Sequence, residues 1–204
     1  MEIIQMRFET SAAKPAQFID DGKVQIVITG KSNVGKSSLI NAIGNNGKLA
    51  RTSSTPGKTR LINYFLADNE YYIVDLPGYG FAKAPKSEQA QWQALMDSYF
   101  KSGTSKKALM LVDIRHKPTT EDRMMRDYLA DYDFEVVVVA TKADKIAKTK
   151  LKNYVEDIRR ELELPDEMLI IPYSSQNSYN RDYLVEVIRA FATEPPMDDI
   201  EAMM

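Results

Sequence analysis

With 204 residues and 27 Lys and Arg against 29 Asp and Glu, the chain carries a net charge of -2, so no global basic field draws it to nucleic acid, and its length suits one domain with a substantial core. The absence of cysteine excludes disulfides and thiolate metal sites, and the single histidine, His116, excludes a multi-histidine metal site. The opening residues lack the basic flank and apolar run of a signal peptide, and apolar runs such as 136–140 are too short to cross a bilayer; the expectation is a cytoplasmic protein with no membrane partner.

Residues 1–22 show no clear period and read as an N-terminal extension packing on the domain through Phe8 and Phe18, with Asp20-Asp21-Gly22 as a turn. The domain proper is expected over 23–194, and an acidic tail without order over 195–204, after Pro195-Pro196 breaks the last helix. A β-branched run at 24–29 predicts the first strand. It leads directly into Gly30-Lys31-Ser32-Asn33-Val34-Gly35-Lys36-Ser37, a full G-x-x-x-x-G-K-[ST] phosphate-binding loop, and then into a helix-like segment at 38–43. Gly30 and Gly35 let the backbone form a concave nest of N–H donors at the positive end of that helix. Lys36 can reach the β- and γ-phosphates, and the Ser37 hydroxyl can bind Mg2+.

Residues 47–60, rich in Ser, Thr, Gly and Lys, predict an exposed, mobile loop. The runs 61–67 and 71–75 are separated only by Asp68-Asn69-Glu70, too short for a crossover, and so predict an antiparallel hairpin ending at Asp75-Leu76-Pro77-Gly78. Ser87 reads as the N-cap of a helix carrying Trp92, Leu95, Met96 and Tyr99 at helical spacing, with Trp92 and Tyr99 in the core rather than forming a stacking platform. Thereafter strands at 108–113, 134–140 and 168–172 alternate with helices at 120–131, 149–162 and 180–192. The continuous apolar runs suit strands covered on both faces. The fold class is α/β: a three-layer sandwich with a mostly parallel six-stranded sheet and one antiparallel edge strand. Ligands of such sheets sit at the carboxyl ends of the strands, where the phosphate loop, Asp75 to Gly78 and the next motif all fall.

That motif is Thr141-Lys142-Ala143-Asp144. A carboxylate at Asp144 can accept paired hydrogen bonds from guanine N1–H and its 2-amino group, donors that adenine does not offer there. The Lys142 stem can lie over the base. By itself such a tetrapeptide is also compatible with a polar turn; three motifs in this order, each at a strand's end, point to a guanine nucleotide.

The order GKSNVGKS, TPGKTR, DLPGYGFAKA, TKAD and YSS resembles the translation-factor-like GTPases and, within them, the bacterial EngB (YihA/YsxC) family of ribosome-biogenesis GTPases. The family cues are DLPGYGFAKA, Trp92 followed by Tyr99, and LVDIRHKPTTED, and the resemblance covers nearly the whole chain. It implies GTP and GDP as ligands with Mg2+ as cofactor, and a switch loop of Gly57, Lys58, Thr59, Arg60 and Leu61 whose Thr59 joins Ser37 on the metal when the γ-phosphate is present. It also implies that Asp75 holds the metal through water, with Leu76 and Pro77 lining the nucleotide and the Gly78 N–H sensing the γ-phosphate. Lys36, Thr59 and Gly78 are thereby the catalytic candidates. Tyr173, Ser174 and Ser175 would form the guanine-contacting turn, chiefly through backbone N–H, although the usual Ser-Ala-Lys is here Ser-Ser-Gln. The implied role is in assembly of the large ribosomal subunit and its rRNA, with consequences for growth and cell division, by a monomer.

Where Ras-type GTPases place a water-orienting Gln after the glycine, this chain has Tyr79, so hydrolysis is expected to be slow without a partner; even with the Gln, intrinsic turnover is only about 10^-4 s-1. Resemblance to potassium-stimulated relatives makes Asn33 a candidate K+ ligand, with a loop hydrogen bonder as the plain alternative. His116, in Asp113-Ile114-Arg115-His116, reads as structural or partner-contacting rather than as a general base. Lys142, Lys145, Lys148, Lys150 and Lys152 read either as a solvated helix face or as an rRNA-contacting patch. A GTP-binding scaffold with negligible hydrolysis and a phosphate-loop metabolite kinase stay open as alternatives.

Overall fold

The computed structural model describes residues 3–50, 61–80, 85–102 and 107–193. The expectations for Gly57, Lys58, Thr59, Arg60 and the tail at 195–204 lie outside the described residues. Twelve elements organise the rest: β1 (Met6–Ala12), β2 (Gln25–Gly30), α1 (Lys36–Ile43), β3 (Ile62–Ala67), β4 (Tyr71–Asp75), α2 (Lys86–Phe100), β5 (Lys107–Asp113), α3 (Thr120–Asp131), β6 (Glu135–Thr141), α4 (Leu151–Glu161), β7 (Ile170–Pro172) and α5 (Arg181–Thr193).

The seven strands form one sheet in the order β1-β3-β4-β2-β5-β6-β7. β2 pairs in parallel with β4 and β5, and β5, β6 and β7 continue in parallel. β3 is antiparallel to both of its neighbours. The expected antiparallel strand is therefore present but is not the edge, because β1 covers it and makes seven strands where the spacing predicted six. β1 hides from a sequence reading because most of its residues are at least partly exposed, with no apolar alternation, and its register slips between Phe8 and Thr10. Left-handed Asp68 and Asn69 (φ 48° and 61°) turn β3 into β4.

Both faces of the sheet are covered. Ile26, Ile28, Leu109, Leu111 and Val139 meet α1 and α5 on one face, and Val27, Met110, Val138 and Ala140 meet α2, α3 and α4 on the other. This is why the strands read as unbroken apolar runs rather than as alternating ones. From β2 the chain turns to one side through the hairpin and then crosses to β5 on the other, so the switch in direction, and the crevice it opens, falls at the carboxyl end of β2.

Helix ends depart from expectation in two places. Ser87 does not cap α2; Pro85, in extended geometry, precedes the helix, and its carbonyl accepts from Glu88 N and Gln89 N at 2.9 and 3.1 Å. α4 begins at Leu151, after a separate single turn at Lys148–Lys150. Of the segment expected to be a wholly exposed loop, Ala50 is buried and pinned by Asn41, whose side chain accepts from its N–H (2.7 Å) and donates to its carbonyl (2.9 Å). Among the described residues no helix is long and apolar enough to cross a membrane.

Candidate functional site

β2 ends at Gly30, where a Cβ would lie 2.8 Å from Val34 Cγ1 and 2.9 Å from the Leu111 carbonyl oxygen, so only glycine lets the loop fold back on the sheet here. Asn33 (φ 64°) and Gly35 (φ 120°) bend residues 30–37 around a hollow whose floor is the first turn of α1. Such a nest of amides at a helix start can hold an anion. Lys36 Nζ reaches back toward the Gly30 carbonyl at 3.4 Å. Burial pulls the Lys36 pKa down by more than the neighbouring Asp75 carboxylate holds it up.

Asp75 closes β4 and lies buried beside Lys36. Burial pushes its carboxyl up to about 6, against the opposing pull of Lys36 and a hydrogen bond from Asn63. Its Oδ1 is buried with no hydrogen-bond partner, a costly state for a carboxylate oxygen unless a cation or its water fills the gap. The donor set here is hard and oxygen-rich, with the Asp75 carboxylate and the Ser37 hydroxyl in the first turn of α1, so these residues fit Mg2+. Magnesium would supply charge to offset the phosphates.

At the carboxyl end of β6, Thr141 Oγ1 donates to the Val34 carbonyl (2.8 Å) and also lies 3.1 Å from the Val112 carbonyl, stitching this segment to the phosphate loop. Lys142, in left-handed geometry (φ 62°), donates to the Asn33 carbonyl at 3.0 Å and to Asp113 Oδ2 at 2.8 Å. The buried Ala143 donates its N–H to the Tyr173 carbonyl (3.0 Å), drawing the turn after β7 alongside. Asp144 Oδ1 accepts from Ser174 Oγ at 2.7 Å and Oδ2 from Lys145 Nζ at 2.9 Å. The Ser174 hydroxyl and the Lys145 ammonium hold the Asp144 carboxyl below its usual range. The carboxylate is thus anionic and oriented, able to accept two parallel N–H donors from a base.

The structure brings together 30–37, Asp75 to Gly78, Thr141 to Asp144 and Tyr173 to Ser175 at one end of the sheet; Leu61, described just ahead of β3, is exposed. Tyr173 is buried with its hydroxyl among core residues, so its ring is packing rather than contact surface. Lys31 directs its side chain away from the loop, toward Thr119 Oγ1 (3.4 Å) and Glu121 (3.5 Å). The roles of Asp113 and Asp122 escape sequence reading, and that of Ser174 is expected there to run chiefly through its backbone. Asp113 holds both Lys142 and Arg115, the latter through its guanidinium at 2.9 and 2.7 Å and its backbone N–H at 3.1 Å; the family cue contains Asp113 but does not assign it this role. Ser174 acts through its hydroxyl rather than its backbone alone. Asp122 accepts from Tyr79 O–H at 2.7 Å, and its only signal is the Thr119-x-x-Asp122 capping pattern.

A phosphate loop at the carboxyl end of a central strand, an aspartate closing its neighbour and an oriented carboxylate at the end of β6 together define the class of phosphate-loop GTPases. Residues 25–142 match the family described as "50S ribosome-binding GTPase". The chain is 45% identical over 189 residues to the "Probable GTP-binding protein EngB" of Clostridium perfringens (strain SM101 / Type A), spanning 92% of this chain and 96% of that one, and 41% identical over 195 residues to the protein of that name from Geobacillus thermodenitrificans (strain NG80-2), spanning 95% and 100%. The crystal structure of a probable GTP-binding protein engB superimposes with a TM-score of 0.68 at 25% identity, over 84% of this chain and all of that one. Era in complex with MgGDPNP and nucleotides 1506–1542 of 16S ribosomal RNA gives 0.66 at 25% identity, over 85% of this chain and 58% of Era. The chain belongs to the EngB family of GTP-binding proteins.

Proposed function

We propose that this protein is a Mg2+-dependent GTP hydrolase that switches with its nucleotide during assembly of the large ribosomal subunit, in the cytoplasm, as a monomer, with effects on growth and division. The observation that supports the nucleotide reading is the Thr141 to Val34 hydrogen bond, which ties the turn carrying Asp144 to the loop at 30–37. In this reading the amides of 31–37 and Lys36 hold the phosphates, Ser37, Asp75 and Thr59 serve the metal, Gly78 and Thr59 read the γ-phosphate, and Asp144 with the Ser174 and Ser175 turn reads the base. Loss of the γ-phosphate releases Thr59 and Gly78 and changes the surface around them.

The ribosomal part is supported by EngB membership, by the description of the matching family as 50S ribosome-binding and by Era's complex with ribosomal RNA. It is also supported by exposed Lys148, Lys150 and Lys152, a few residues beyond Asp144 and able to neutralise phosphates, whereas Arg115, Lys117 and Lys145 are already paired with Asp113, Glu161 and Asp144. Co-sedimentation with isolated ribosomal subunits tests it: binding to the large subunit that differs between GDP and a non-hydrolysable GTP analogue is expected, and binding indifferent to nucleotide refutes the role.

Tyr79 favours slow turnover, since its hydroxyl is spent on Asp122 rather than free to orient water. The scaffold reading shares that observation. Single-turnover hydrolysis with and without large subunits separates them: acceleration supports the switch, and its absence the scaffold. A comparison of rates in potassium and sodium tests Asn33 as a K+ ligand. Nothing in the site favours a metabolite kinase, and preference for ATP over GTP in a titration is the result that would revive it.

A further inference from the structure

The Pro77-Gly78-Tyr79 segment lies across the mouth of the phosphate loop. A Cβ on Gly78 would stand 2.9 Å from Lys36 Nζ, 3.2 Å from the Gly30 carbonyl oxygen and 3.3 Å from Ser32 N, so the Gly78 backbone is packed directly on the groups that meet the outer phosphates. The Ser32 N–H, which faces that mouth, donates to the Tyr79 carbonyl at 3.0 Å, and Lys31 and Tyr79 form a parallel bridge. The Lys of a phosphate loop reaches the β- and γ-phosphates, so a terminal phosphate has to come against Lys36 Nζ, where Gly78 now sits.

The segment is fastened from three directions. Tyr79 is buried, and its hydroxyl donates to Asp122 Oδ1 at 2.7 Å. Asp122 is itself fixed, since its Oδ2 accepts from Thr119 N (2.7 Å) and Thr119 Oγ1 (2.8 Å) at the start of α3. From α2, Trp92 Nε1 donates to the Pro77 carbonyl at 3.3 Å. A diphosphate, held by the amides at the start of α1, leaves all of these contacts in place. A terminal phosphate brought against Lys36 Nζ meets the Gly78 backbone that these contacts hold.

We propose that Tyr79, latched to Asp122, is the residue that sets the preference between guanosine di- and triphosphate, by holding Gly78 in the place of the γ-phosphate until a triphosphate displaces it. The idea rests on the reading of the ligand as a guanine nucleotide. A ligand shifts such an equilibrium only by its differential affinity for the two states, so every contact of the closed segment weighs against GTP and none against GDP. The same logic makes the start of α3 and the 114–119 loop the surface that registers which nucleotide is bound.

The test is Tyr79→Phe, which keeps the buried ring and removes the hydroxyl. Affinities for GDP and for the β,γ-imido analogue of GTP are measured by calorimetry. A hydrogen bond to a charged acceptor carries enough weight for the ratio of analogue to GDP dissociation constants to fall about tenfold. An unchanged or raised ratio overturns the latch, and a general loss of stability would not produce tighter triphosphate binding. If the variant does not fold, the wild-type protein still decides: Trp92 is the sole tryptophan, and its emission should shift on adding the triphosphate analogue and not on adding GDP. Equal emission in the two complexes overturns the proposal. Failure of the wild type to bind GDP at all defeats the guanine reading and the latch with it, whereas GDP binding with an unchanged ratio defeats the latch alone.

Discussion

Asp144 is an acceptor whose direction is set by a neighbour, since the Ser174 hydroxyl holds one oxygen while Lys145 holds the other. Because its pKa is lowered, Asp144 is ionised in the folded protein at all pH above the acid range, so the base reading proposed for it should be constant at neutral pH and fail only as the solution falls below the ordinary carboxylate value of 3.8. Asp144→Asn replaces one acceptor oxygen with a donor. One hydrogen bond is lost and the other no longer goes to a charge, so GDP affinity should fall about 100-fold while xanthosine diphosphate, with a 2-oxo group, gains; titration of both nucleotides checks it. Asp75 has the opposite sign. Its folded pKa, raised to about 6 from 3.8, makes the folded state the tighter proton binder, so its contribution to stability is full below 3.8 and lost as pH rises through about 6. The nucleotide-free protein should therefore lose about 1.4 kcal/mol of this contribution between pH 5 and pH 7.5, a component that Asp75→Asn removes from melting curves taken at those two values. Mg2+ needs the anion, so metal-dependent nucleotide binding runs the other way and weakens on acidification.

At the scale of elements, the motifs were legible because each is local chemistry placed at the end of a strand. The phosphate loop, the aspartate closing β4 and the Thr141-Lys142-Ala143-Asp144 turn could be read from residue type and order alone. The ties between them could not, because they join residues far apart in sequence. Thr141 reaches Val34 across 107 positions and Tyr79 reaches Asp122 across 43, and no period or composition announces either. Gly30 tests how tightly loop and sheet are coupled. An added methyl would meet the Leu111 backbone oxygen and Val34, both held by packing, so Gly30→Ala should cost about 1–3 kcal/mol by overpacking and also deform the loop. Urea denaturation should register the loss, and GDP binding should fall by more than the stability change alone explains. Thr141→Val keeps the shape and removes the hydroxyl, leaving the Val34 carbonyl without this partner; about 1–3 kcal/mol of destabilisation is expected, with weakened GDP binding because base turn and phosphate loop are no longer tied.

For the molecule as a whole, the sheet was legible except where it meets solvent. Strands buried on both faces announce themselves by apolar runs, but an edge strand needs no such run, and β1 is held by other means. Ile4 is buried, and its N–H donates to the Ile43 carbonyl at the end of α1 (3.0 Å). Gln5 N–H donates to Asp68 Oδ1 at 2.8 Å, while Arg189 of α5 reaches both the Ile3 carbonyl (2.8 Å) and Asp68 (3.1 Å). Residues 3–12 thus strap the hairpin to both helices on one face. Removing residues 1–12 would turn β3, with Tyr64, Phe65 and Leu66, into an unpaired edge. A long apolar edge is a template for pairing with another chain. The truncated protein should therefore unfold at lower urea and form dimers or larger species on a sizing column. GDP affinity in whatever monomer survives should hold, because the proposed phosphate and base sites lie at the ends of β2, β4, β6 and β7 and draw nothing from β1. Loss of nucleotide binding in a folded, monomeric truncation would instead mean that the edge strand sets the geometry of the centre.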